Sequence, residues 1–102
     1  MTDLTDLCAA ALVATQHAFD EQDDVGLWIA ARDAWAYAEA ESIAKAASGP
    51  MSYMAHSLVS ACKDARSACY SASWYFDAAE KGPDDIFAQA LIAAEVVMMW
   101  LD

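Results

Sequence analysis

His17, Asp20 and Glu21 are spaced so that a helix would put one imidazole and two carboxylates on the same face, a donor set suited to a divalent cation. Helical di-metal centres need more than that: a Glu-x-x-His pattern on paired helices, which this chain lacks. A calcium loop starting at Asp20 fails as well. Val25 stands where the loop needs glycine, and Ala31 stands where it needs the closing glutamate. His56 is solitary, which suits a surface or core-edge histidine better than a base. Cys8, Cys62 and Cys69 lie on apolar stripes and behave as small hydrophobes. With three glycines there is no phosphate-cradling loop. Trp28, Trp35, Trp74, Trp100 and Tyr70 recur at helical spacing, as core or interface anchors do. The expectation is a non-enzymatic protein with no catalytic residue, no metal and no cofactor.

Charge is more informative. Sixteen carboxylates oppose five basic side chains in 102 residues, for a net charge of -11, in a chain that is 59% hydrophobic. That apolar fraction requires a packed core, so the acids must occupy its surface. Such a surface repels nucleic acid and anionic lipid and attracts basic proteins. Arg32, Lys63 and Arg66 stand mid-helix without an acid three or four residues away. Pairing across helices with Glu39 or Glu95 is expected for them, in preference to a phosphate site. The apolar run Ile86–Leu101 is broken by Gln89 and Glu95 and is shorter than the roughly 20 residues that span a bilayer. Asp3 and Asp6 occupy the place of a basic signal-peptide start. The cysteine count is odd, and Cys62 and Cys69 would be about 10 Å apart on one helix, which favours reduced thiols and a cytoplasmic setting.

The elements that must position these residues are helices. Alanine is abundant and glycine and proline are scarce, so the pattern predicts an all-α, antiparallel up-down four-helix bundle forming one domain over 1–102. The helices are expected at about 2–20, 24–47, 51–80 and 84–101. Leu4, Leu7, Cys8, Ala11, Leu12, Thr15 and Phe19 line the first; Trp28, Ala31, Trp35, Ala38 and Ser42 line the second. The third carries Met54, Leu58, Ala61, Cys62, Ala65, Cys69, Ala72, Phe76 and Ala79, with serines that favour a bend near Ser71. Ser48-Gly49-Pro50 and Lys81-Gly82-Pro83 punctuate the chain. Ala30–Ala34 and Ala61–Ala65 resemble each other, hinting at a repeated hairpin.

Up-down order would gather Asp20, Glu21, Asp23, Asp24, Asp77, Glu80, Asp84 and Asp85 at one end, an acidic pole for a basic partner. Capping uses only one or two acids per helix and leaves about half of these unexplained. The fourth helix is apolar nearly all round, and Ile92, Val96, Met99 and Trp100 are expected to join two copies in a homodimer.

The acidic turn at 20–24, the Asp84-Asp85 turn and the alanine-aromatic helices at 30–40 and 61–76 give the chain a resemblance in class. It resembles the small, acidic, all-helical inhibitors found among phage anti-CRISPR proteins and bacterial toxin-immunity proteins. That resemblance implies a stoichiometric inhibitor in the basic groove of a nuclease or CRISPR effector, its carboxylates standing in for phosphates. The alternative is a structural module that self-associates through its C-terminal helix.

Overall fold

Small and unbranched side chains fill the chain, and they lose little freedom in a helix. In the computed structural model, which describes residues 4–21, 24–48, 53–75 and 86–101, four helices result: α1 (Leu4–Asp20), α2 (Val25–Ser48), α3 (Tyr53–Tyr75) and α4 (Ile86–Leu101). No strand occurs among the described residues. The protein is an all-α four-helix bundle. The expected ends at 2–3, 51–52, 76–80 and 84–85 lie outside the described residues, as do the side chains of Met54, Phe76 and Ala79. Within them, α2 starts one residue later than expected, because Asp24 caps it from outside. Helix α3 continues unbroken through Ser71 to Tyr75.

Each helix packs against its sequence neighbours, and α4 closes the ring on α1. The bundle is narrow, 46 × 24 × 20 Å, and its interior shows why. Ala11 and Ala18 of α1, Ala61, Ala65 and Ala72 of α3, and Ala90 and Ala94 of α4 are all buried. Walls of small residues let backbones approach closely and leave hollows between turns. Helix α2 fills those hollows. Its Trp28 and Trp35 are the largest fully buried side chains, separated along the same face by Ala31, with Ala38 and Ser42 beyond. Burying each indole contributes on the order of 3 kcal/mol. The volume of this core is thus concentrated in two side chains of one helix.

The two indoles are treated differently. Trp35 Nε1 donates to the Thr15 hydroxyl at 2.9 Å, and that hydroxyl donates to the Ala11 carbonyl at 2.8 Å. Cys69 Sγ lies 3.8 Å from the same oxygen. Thr15 has one proton, and it is spent on Ala11, so the Cys69 thiol must be the donor. Three buried polar groups from α1, α2 and α3 therefore satisfy one another. Trp28 Nε1 is buried with no hydrogen-bond partner, while its ring stacks on Phe87 of α4 with centroids 5.4 Å apart.

A second polar contact lies seven residues back along both α1 and α3. Cys8 and Cys62, both fully buried, lie close enough to shift each other's ionisation, beside Ser42 of α2, whose hydroxyl donates to the Glu39 carbonyl at 2.7 Å. The contact with Cys8, joined by burial, pushes the Cys62 thiol above its ordinary range; the same contact lowers Cys8 against the effect of burial. Burial pushes Cys69 up to about 11. None of the three cysteines is in a disulfide. The pairs Cys8–Cys62 and Thr15–Cys69 keep one spacing along α1 and α3. Arg32–Tyr70 and Glu39–Arg66 instead run in opposite senses along α2 and α3.

Candidate interaction surface

The turn between α1 and α2 is built by backbone hydrogen bonds and one carboxylate. Glu21 N–H donates to the His17 carbonyl at 3.0 Å, Asp24 N–H to the Glu21 carbonyl at 3.0 Å, and Leu27 N–H to the Asp24 carbonyl at 3.2 Å. Asp24 Oδ1 accepts from the Gly26 N–H at 2.9 Å, the bond of a helix N-cap, where negative charge also favours the α2 dipole. Gly26 permits this close approach, since a Cβ there would stand 3.1 Å from Oδ1. Asp24 is therefore employed in the fold.

Asp20 and Glu21 are exposed, with no such duty. Asp23, Asp77, Glu80, Asp84 and Asp85 of the expected pole lie outside the described residues. His17 is also exposed. Among the described residues no group of three His, Cys, Asp or Glu side chains is placed to hold a metal ion.

The two arginines have acid partners. Arg66 Nε donates to Glu39 Oε2 across α3 and α2, a part-buried ion pair of the kind the sequence suggested. Arg32 departs from the expectation. It donates through Nε at 3.2 Å and Nη2 at 3.0 Å to Oδ1 of Asp33, its own neighbour in sequence. The same guanidinium lies 6.0 Å from the ring centroid of Tyr70 on α3, at the outer reach of a cation–π contact. Glu95 is exposed, so it needs no buried counter-ion. Lys63 is exposed too. Both arginine charges are thus largely offset locally, and the rest of the described surface keeps its acidic excess.

On α4, Ala90, Ala94 and Val97 face inward. Ile92 is 59% exposed, Val96 37% and Met99 74%. These three of the four residues assigned to self-association form an open apolar face. Trp100, the fourth, is half-buried and packs partly on the core. No described helix is long and apolar enough to cross a membrane.

Two grooves flank the N-terminal half of α3. The larger, about 480 Å³, runs between α3 and α4, with His56, Ser57, Ser60 and Asp64 on one wall and Val96 and Trp100 on the other. A smaller apolar hollow of about 200 Å³ lies between α2 and α3, lined by Ile43, Ala46, Ala47 and Val59, and His56 borders both. Sequence reasoning treated His56 as solitary and the serines as helix weakeners. The available signal was the spacing of His56, Ser60 and Asp64, four residues apart each time on one face. No protein-family model, curated protein or solved structure is matched by this chain.

Proposed function

We propose that this protein is a non-enzymatic acidic binding protein that engages a basic partner, as a stoichiometric inhibitor of a nuclease or CRISPR effector whose groove normally holds nucleic acid. The observation that carries this reading is the α1–α2 turn. Asp24 caps α2, while Asp20 and Glu21 are exposed and make no such bond, on a chain of net charge -11. Exposed carboxylates accelerate association with a cationic surface and make it salt-sensitive. The paired residues of the core support up-down helix order, which would bring the α3–α4 connection to the same end. Three free thiols fit a reducing, cytoplasmic setting.

The test is charge reversal that spares the cap. Asp20→Lys with Glu21→Lys should lower the salt concentration that elutes the chain from immobilised polylysine by more than Asp6→Lys with Glu95→Lys does, and leave the helical circular dichroism intact. Unchanged retention refutes the acidic-turn reading.

The open face of α4 favours a second reading, a homodimer through Ile92, Val96, Met99 and Trp100. Ile92→Glu with Met99→Glu tests it cleanly, because both side chains are exposed in the single chain, whereas Val97 is buried and its replacement would disturb the core. Sedimentation of wild type and variant at equal mass refutes the dimer.

A further inference from the structure

We propose that the groove between α3 and α4 receives the side chain of an arginine presented by a protein partner, with Asp64 as its counter-charge and Trp100 as its aromatic wall. This rests on the reading above that the partner is basic, and it names a second, distant point of contact. Asp24 begins α2 while Ile43, Ala46 and Ala47 lie near its other end, about 30 Å away by helix rise.

The lining suits that chemistry. Among the described residues lining the groove, Asp64 supplies the carboxylate, and it is exposed and outside both arginine ion pairs. Ser57 and Ser60 add hydroxyl acceptors beside it on α3. Opposite, Ala93 and Val96 offer an apolar track for a methylene stem, ending at the Trp100 indole. A carboxylate, hydroxyls, an aliphatic track and an aromatic ring together match an alkylguanidinium. The planar guanidinium can stack on an indole while hydrogen-bonding a carboxylate, which favours arginine over lysine. The volume, about 480 Å³, falls in the range of pockets that enclose small organic groups. Across His56, the apolar hollow at Ile43, Ala46, Ala47 and Val59 would take an aliphatic side chain next to that arginine. The partner segment inferred is therefore an arginine adjoining a hydrophobic residue.

The test is an amide-resolved NMR titration of the intact chain with N-acetyl-arginine N′-methylamide and with its neutral citrulline isostere. The arginine probe should saturate shifts at Ser57, Ser60, Asp64 and the Trp100 indole. The citrulline probe should bind roughly fivefold to tenfold more weakly. Asp64→Asn, an exposed change that the fold tolerates, should erase the difference between the probes, while Asp20→Asn with Glu21→Gln should leave it in place. Equal binding of the two probes by wild type overturns the inference, as does unchanged discrimination in Asp64→Asn or shifts confined to the α1–α2 turn. The two readings fail separately: loss of the groove signal with polylysine retention intact removes only the arginine site. Retention that Asp20→Lys with Glu21→Lys leaves unchanged, with the groove signal intact, removes only the acidic turn.

Discussion

Thr15 of α1 and Trp35 of α2 meet inside the bundle, where one hydroxyl accepts the indole N–H at 2.9 Å while donating its own proton to the Ala11 carbonyl. Because Cys69 of α3 reaches the same oxygen, a single β-hydroxyl joins three helices. Thr15→Val keeps the shape and deletes the acceptor, orphaning the Trp35 N–H. The expected loss is about 2 kcal/mol in urea unfolding, with Thr15→Ser closer to wild type. Equal loss from both variants would show that the methyl group matters and the hydrogen bond does not.

Trp28 supplies the contrast. Its Nε1 is already buried without a partner, so Trp28→Phe removes an unsatisfied donor along with some volume. Trp35→Phe removes volume and a satisfied bond. Unfolding should therefore show Trp35→Phe to be the costlier change by about 1 kcal/mol.

Alkaline pH should weaken the fold through Cys69. Its thiol is held up to about 11 in the folded chain against an ordinary value of 9.0, so the unfolded chain ionises first. The contribution is fully present below pH 9 and is lost progressively as pH rises toward 11, on the order of 2 kcal/mol across that window. Cys69→Ala should flatten the stability–pH slope there relative to wild type. Identical slopes would mean that the thiol titrates alike in both states.

The acids of the α1–α2 turn should separate by role. Asp24→Ala removes the α2 cap and is expected to cost about 1 kcal/mol, whereas Asp20→Asn and Glu21→Gln should stay within about 0.5 kcal/mol of wild type. Thermal unfolding of the three variants decides the matter.

Much of the bundle was legible because large and small residues alternate at helical spacing. The α2 stripe from Trp28 to Ser42 is buried as its periodicity required. Ala18 escaped notice because alanine has little preference between core and surface, and only packing assigns it. Thr15 was placed on the right face, but its partners come from two other helices, and sequence spacing carries no register between helices. The Glu39–Arg66 bridge could be anticipated, since a half-buried charge needs an opposite one. Arg32 with Asp33 could not, because adjacent residues on a helix point apart and are not the pairs that helical spacing brings together. The α3–α4 groove was hidden for a similar reason: its walls belong to different helices.

Filling alanine-walled hollows from a single helix separates the parts of this chain that must stay constant from those free to change. An enlarged alanine would overfill a closely packed interior, and a shrunken indole would leave a void that the small residues lining it cannot close. Exposed acids such as Asp20 and Glu21 carry no comparable constraint. Descendants of this sequence could therefore retarget their outer face repeatedly over an almost frozen interior.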